Sequence, residues 1–225
     1  MKQFFDAVIF DMDGLLIDSE SIAFAAFREA CEKFKLGDQS NTFRRCIGTN
    51  QEAGEKVIRE SFRAMVDPMK FIAIWDEIYI QNSTNKAIPL KSGVIELLEH
   101  LALIDIPLAV ATSSTTPRAT QKLTDAGIQH FFKFVVGGEQ VVKSKPNPDI
   151  YLKAASLLKA EPRKCLALED SENGVRAGVS AGMVTVQIPD LVEPSNELRA
   201  LGHIILSNIR EVITFEFGSI SPAAN

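Results

Sequence analysis

Short apolar runs alternate with segments of helical periodicity along most of the chain. The first run, Ala7–Phe10, is followed by polar residues and by Gly14, as in a buried strand that ends in a turn. Further apolar runs lie at 107–111, 134–136, 165–168 and 184–188. Because strands covered on both faces read as continuous apolar runs, these segments predict a parallel sheet between layers of helices.

The segments with helical periodicity fall into two groups. Between residues 19 and 86, several helices follow one another without a clear strand, and Asn50 and Asp67 provide helix-capping signals. After that stretch, helices separate the later strands, at 92–102, 117–126, 149–158 and 171–181. We therefore predict an α/β fold. Its doubly wound, Rossmann-like parallel sheet core comprises residues 1–18 and 87–225, and residues 19–86 form an inserted helical cap.

Composition, charge and cysteine spacing argue against several classes of protein. The net charge of −5 provides no basic surface for nucleic acid or anionic lipid. No apolar segment approaches the roughly 20 residues that a membrane span needs, and Asp6 interrupts the start of the chain where a signal peptide would stay apolar. Cys31, Cys46 and Cys165 are too widely spaced to suggest disulfides or a zinc site. We expect a cytoplasmic monomer that binds neither nucleic acid nor membrane.

Polar residues follow the ends of several predicted strands. Asp11 and Asp13 come directly after the first strand, and residues two apart in an extended chain point the same way. Two carboxylates so close repel each other unless a cation or a shared proton offsets the charge. Later strand ends and one loop add hydroxyls, an amine and two acids: Thr112, Ser113, Ser114, Lys145, Glu169 and Asp170. Because ligands bind beyond the carboxyl ends of such strands, we expect these groups to share one site.

In this order, the four segments resemble the motifs of the haloacid dehalogenase superfamily of phosphotransferases. The matching residues are Asp11-Met12-Asp13-Gly14, Thr112, Lys145 and Glu169-Asp170. The resemblance covers nearly the whole chain and is strongest to small-capped sugar-phosphate phosphatases and to β-phosphoglucomutase. It implies Mg²⁺-dependent hydrolysis of a small phosphorylated metabolite through an aspartyl-phosphate intermediate. A cation is needed because a carboxylate nucleophile and a phosphate dianion repel each other.

The resemblance also implies a catalytic role for four residues. Asp11 is the nucleophile, a known use of carboxylates. Asp13 is the general acid that protonates the leaving alkoxide and then the base that activates water, and neighbouring Asp11 would help to raise the pKa of Asp13. Thr112 holds a phosphoryl oxygen, and Lys145 neutralises charge on the phosphoryl group and on Asp11.

Two further sets follow from the same resemblance. The residues expected to bind substrate or phosphate are Thr112, Ser113, Ser114, Lys145, Glu20 and Arg45. The residues expected at the Mg²⁺ ion are Asp11, Asp13, Glu169 and Asp170. Asp13 would contribute its carbonyl oxygen, and Glu169 would act directly or through a water molecule. In the cap, the four-residue spacing of Phe71, Trp75 and Tyr79 favours a packed interior over a sugar-stacking surface.

Several activities occur among the proteins that the chain resembles. Asp13 disfavours dehalogenases and P-type ATPases, which lack this acid. Mutases of the β-phosphoglucomutase kind carry a histidine where this chain has Ala23, and an arginine in a cap loop where Arg45 is displaced. Glu20 after Asp18-Ser19 is more typical of phosphatases. Hydrolysis is therefore favoured, with a phosphosugar mutase, a phosphoglycolate phosphatase and a catalytically silent binding module as alternatives.

Overall fold

The computed structural model describes residues 5–83 and 88–214. Within these residues, six parallel strands form one sheet in the order β3-β2-β1-β4-β5-β6. The strands are β1 (Ala7–Phe10), β2 (Leu108–Ala111), β3 (Phe134–Val136), β4 (Cys165–Glu169), β5 (Val184–Gln187) and β6 (Ile204–Ile205). The five predicted strands are present. Only β6 was missed, because two residues are too few to produce a sequence pattern.

Helices after the insertion cover both faces of the sheet, and four others among the described residues form the insertion. In chain order, the helices are α1 (Ser19–Lys33), α2 (Ser40–Arg44), α3 (Gln51–Phe62), α4 (Pro68–Ser83), α5 (Val94–Leu103), α6 (Thr116–Asp125), α7 (Asp149–Leu158), α8 (Glu172–Ser180), α9 (Asn196–Arg199) and α10 (Glu211–Thr214). Strand β1 is fully buried, and its alternate residues belong to two different hydrophobic clusters, one on each side of the sheet. The predicted doubly wound α/β architecture is therefore confirmed.

Helices α1 to α4 lie between β1 and β2 and surround a hydrophobic cluster of their own. Its centre is aromatic, with the rings of Phe27, Phe62 and Phe71 fully or almost fully buried. Asn50 caps α3, since its side-chain oxygen accepts a hydrogen bond of 2.9 Å from the Ala53 amide. Residues 84–87, where the predicted cap ends, lie outside the described residues, so the exact domain boundaries stay a prediction.

Two chain segments connect the helical insertion to the sheet, and they run side by side. The Asp18 amide donates to the Pro89 carbonyl at 2.8 Å, and the Lys91 amide donates to the Leu16 carbonyl at 3.0 Å. This pairing fixes α1 beyond the carboxyl end of β1. Among the described residues, no helix has the length and apolar character to cross a bilayer.

Candidate active site

The strand order brings the predicted site residues together at one edge of the sheet. Strand β1 lies between β2 and β4, and Phe10 is in register with Val110 and Leu168. The residues that follow these strands, Asp11 and Thr112, are therefore neighbours, and Asp170 follows β4 beside them. Asp11 is held in place because its amide donates to the Leu168 carbonyl at 2.9 Å.

Lys145 enters this edge from the loop before α7 and is almost completely buried. Its ammonium donates to Asp11 Oδ1 at 2.5 Å, to Glu169 Oε1 at 2.6 Å and to the Ala111 carbonyl at 2.9 Å. Burial alone would lower the pKa of Lys145, but the two carboxylates outweigh burial and raise it. The ammonium stays charged, and each of its three protons has an acceptor.

Glu169 is fully buried, and both of its carboxylate oxygens accept hydrogen bonds. Its Oε1 accepts from Lys145 and from the Tyr151 hydroxyl at 2.5 Å, while Oε2 accepts from the Asp170 amide and the Ser171 hydroxyl, both at 3.2 Å. Gly174 on α8 makes room for this carboxyl group, because a Cβ atom there would lie 1.9 Å from it. These contacts fix the Glu169 carboxyl group beside Lys145, and Glu169 also belongs to the oxygen cluster around Asp11 and Asp170.

Asp11, Glu169 and Asp170 form a cluster that fits a hard cation. One oxygen of each lies within 4.8 Å of the others. Asp170 Oδ1 is buried and has no hydrogen-bond donor among the described residues. Burial raises the pKa of Asp11 to about 7 against the effect of Lys145, and burial with neighbouring acids raises the pKa of Asp170. Three carboxylates face one ammonium, and an all-oxygen donor set with surplus negative charge suits Mg²⁺.

Asp13 has a different set of partners from the one expected. Its Oδ1 accepts from the Ser19 hydroxyl at 2.6 Å and from the Lys122 ammonium at 2.7 Å, and its Oδ2 accepts from the Ser114 hydroxyl at 2.9 Å. Burial acts to raise the pKa of Asp13, but Lys122 and the hydroxyl donors outweigh it and lower that pKa. The prediction that Asp11 would help to raise the pKa of Asp13 is therefore wrong, because it overlooked Lys122.

A cavity of about 250 Å³ lies between the sheet edge and the helical insertion. The expected residues that line it are Asp11, Asp13, Glu20, Thr112, Ser113, Ser114 and Lys145. Burial and the nearby acids Asp13 and Asp190 raise the pKa of Glu20 to about 8. The wall opposite the strands carries residues that the sequence did not single out as site residues: Gln51, Trp75, Asp76 and Tyr79.

Two expectations about the helical insertion need correction. Arg45 does not line this cavity; its guanidinium faces the Ser61 hydroxyl at 3.3 Å and is largely exposed. Trp75 packs edge-on against Phe27, as the helical spacing predicts, but it also borders the cavity. The reason is that Trp75 lies at the edge of the aromatic cluster, where one side of the indole is free to face a ligand.

The insertion touches the sheet edge through the loop before α3. The side-chain amide of Asn50 donates to the Ser144 hydroxyl at 2.8 Å, and Ser144 directly precedes Lys145. Gly48 packs so closely on Ser171 that a Cβ atom there would lie 2.6 Å from its hydroxyl. The same loop therefore helps to close the cavity on the side of Lys145 and Asp170.

Comparison with known proteins gives consistent matches. Residues 8–188 match the sequence model of a family described as haloacid dehalogenase-like hydrolase. A phosphorylated carbohydrates phosphatase of Thermotoga maritima is 32% identical, over 92% of this chain and 96% of its own. A β-phosphoglucomutase of Bacillus subtilis is 30% identical, over 81% and 82%. A solved haloacid dehalogenase family hydrolase of Deinococcus radiodurans, with bound phosphate and sodium, has a TM-score of 0.77 and 26% identity, covering 99% and 100%.

Proposed function

The chain belongs to the haloacid dehalogenase-like hydrolases, and from this premise we propose that it is a Mg²⁺-dependent phosphatase of small phosphate monoesters, chiefly sugar phosphates. One observation carries the proposal. The Asp11 carboxylate lines a ligand-sized cavity, beside a buried ammonium at 2.5 Å and within a cluster of oxygens that fits a divalent cation. Such a carboxylate can attack phosphorus only where positive charge surrounds it. The similarity to a phosphatase of phosphorylated carbohydrates supports the choice of substrate class.

The first chemical step transfers the phosphoryl group to Asp11. A carboxylate oxygen of Asp11 forms the new bond to phosphorus while the bond to the leaving oxygen breaks. The Thr112 hydroxyl and the Ser113 amide hold phosphoryl oxygens, and Lys145 offsets their charge. Asp11, Asp170 and the Asp13 carbonyl would hold Mg²⁺, which when bound neutralises charge on the nucleophile and the phosphoryl group.

Asp13 moves the proton in both steps. Protonated Asp13 gives its proton to the leaving alkoxide, and the carboxylate that results takes a proton from the attacking water. The water oxygen then bonds to phosphorus while the bond between phosphorus and the Asp11 oxygen breaks, which releases phosphate and frees the Asp11 carboxylate. The second transfer restores the protonated form for the next turnover. The lowered pKa of Asp13 in the free protein favours the base step. An incoming phosphate dianion raises that pKa, which favours the acid step once substrate is bound.

The charges along the cavity favour hydrolysis over the mutase reaction. A phosphosugar mutase must hold a second phosphate on its cap side. Among the described residues, the cap wall of the cavity carries Gln51, Trp75, Asp76 and Tyr79 but no lysine or arginine. Arg118 of α6 also borders the cavity, where Asp76 offsets its charge. A second phosphate would therefore meet a carboxylate on the cap wall.

A screen of phosphate release tests this proposal. Hexose phosphates, deoxyhexose phosphates and phosphoglycolate are supplied with Mg²⁺ and, in parallel, with a chelator. We expect metal-dependent release, fastest with sugar phosphates. A preference for phosphoglycolate would support the proposed hydrolysis but would contradict sugar phosphates as the substrate class. No release from any ester with Mg²⁺ present would overturn the proposal and favour a silent binding module.

A second assay separates hydrolysis from isomerisation. The protein is given β-glucose 1-phosphate with a trace of the bisphosphate, and glucose 6-phosphate and free phosphate are both measured. We expect free phosphate to form faster. Isomerisation that is much faster than phosphate release would identify a mutase, the reaction of the similar Bacillus subtilis protein. The proposed setting is a cytoplasmic monomer, in keeping with the sequence expectation.

A further inference from the structure

We propose that Lys122 is a positioning residue that holds Asp13 in place and links it to the cap; this rests on the proposed function. Lys122 lies in the last turn of α6, and its ammonium donates to Asp13 Oδ1 at 2.7 Å. Both side chains are mostly buried, with 17% of Lys122 and 22% of Asp13 exposed. A charge-assisted hydrogen bond with this degree of burial restrains an acid more strongly than a surface ion pair does.

The donors around Asp13 are divided unequally between its two oxygens. Oδ1 accepts from both Ser19 and Lys122, whereas Oδ2 accepts from Ser114 alone. Oδ2 therefore keeps a lone pair for proton exchange in the cavity. Without Lys122, the two hydroxyls still hold one oxygen each, but the carboxylate loses its only charged donor among the described residues. Rotation about its Cβ–Cγ bond then becomes easier.

Lys122 also touches the helical insertion. Its ammonium lies 5.9 Å from the centre of the Tyr79 ring on α4, within the range of a cation–π contact. One lysine of the sheet domain thus contacts the proposed general acid on one side and a cap ring on the other. The contact with Tyr79 exists only while α4 covers the cavity. The same ammonium thus serves both the general acid and one of the contacts between the cap and the sheet domain.

The test compares two leaving groups that differ in their need for a proton. Only a leaving group that must be protonated depends on Asp13 in the first step. p-Nitrophenolate leaves as a stable anion, whereas a sugar alkoxide requires protonation. The release of each leaving group is measured in the first turnover by rapid quenching. We expect Lys122→Met to slow sugar release by about 30-fold or more and p-nitrophenol release by only a few-fold. Lys122→Arg keeps the charge and should restore most of the sugar reaction.

A matched control removes a comparable lysine elsewhere. Lys153 of α7 is half-buried and donates to the Gln140 carbonyl at 2.9 Å, outside the cavity. Lys153→Met should leave the ratio of the two rates unchanged. The KM for the sugar phosphate should stay within a few-fold in Lys122→Met, because Lys122 acts through Asp13. A general loss of structure would instead slow both substrates equally.

A double variant keeps the idea testable if Lys122→Met proves unstable. In an Asp13→Asn background, Lys122→Met and Lys122→Arg should give the same residual sugar release, since the group on which Lys122 acts is gone. A further loss specific to Lys122→Met in that background would overturn the inference. Equal slowing of both leaving groups by a Lys122→Met variant that circular dichroism shows to be folded would also overturn it. If the unmodified protein releases no phosphate at all, the proposed function fails instead.

Discussion

The two walls of the cavity are built in opposite ways. On the strand side, Asp11 and Lys145 are buried, and every proton of the ammonium has an acceptor. On the cap side, Asp76 is exposed and Trp75 and Tyr79 are partly exposed, and none of them holds a buried ion pair. The strand wall is thus specified by many mutual contacts, whereas the exposed Asp76 of the cap wall can change with few consequences for its neighbours. The first suits chemistry that must not vary, and the second suits selection among substrates.

The same substitution, from aspartate to asparagine, should have very different effects on phosphate release at the two walls. We expect Asp11→Asn to reduce phosphate release by about 10⁴-fold or more, because an amide is not a nucleophile. Asp76→Asn, the matched change on the cap wall, should alter it by less than about tenfold. Circular dichroism shows whether both variants stay folded. Substantial release by a folded Asp11→Asn variant would refute the assigned nucleophile.

The surplus of acidic groups around the cavity should make stability depend on pH and on Mg²⁺. Burial raises the pKa of Asp11 from 3.8 to about 7 and that of Glu20 from 4.5 to about 8, so the folded state holds more protons than the unfolded state between these limits. Stability without metal therefore falls as pH rises from 5 to 8. We expect the melting temperature in chelator to drop by several degrees, on the order of 5 °C, over this range.

Mg²⁺ should remove much of that pH dependence. The cation binds the ionised carboxylates of the folded state, so its stabilising effect grows with pH and should exceed that of an equal concentration of K⁺. Thermal melting at pH 5.5 and pH 8, with and without Mg²⁺, measures both effects. A melting temperature without metal that rises with pH would contradict the proposed origin of the raised pKa values.

Positive charge on the cap wall should change substrate preference, an effect smaller than those of the preceding variants and conditions. Asp76→Lys replaces the carboxylate that a second phosphate would meet, so it should improve kcat/KM for sugar bisphosphates relative to monophosphates by about two- to fivefold. Glu77→Lys is the matched control. It makes the same charge change at the next, exposed position, which does not line the cavity. Equal effects of both variants would mean that only net charge matters.

The sequence was sufficient to predict much of the fold and part of the site. Apolar runs identified β1 to β5, and the strand ends identified the acids and hydroxyls that meet there. The predicted family is confirmed by the match over residues 8–188. These features are local, since each depends on a few neighbouring residues and on the rule that parallel strands align their carboxyl ends.

Residues that act from helices could not be predicted in the same way. Lys122 and Tyr151 lie in amphipathic segments, where a lysine reads as a solvated residue and a tyrosine as a core residue. Lys122 meets Asp13 from 109 positions away in the chain, and with the Ser19 and Ser114 hydroxyls it lowers the pKa of Asp13, against the expected direction. The electrostatics of a site thus depend on tertiary contacts that periodicity does not reveal.

Gly174 has no side chain, yet it constrains the nucleophile through two intermediate residues, Glu169 and Lys145. Any Cβ atom at this position would displace the Glu169 carboxyl, and Glu169 holds Lys145, which in turn holds Asp11. A side chain at this position would therefore disturb the reaction from a residue that does not itself line the cavity. Glu169 and the space left by Gly174 therefore depend on each other, although only Glu169 contributes charge to the site.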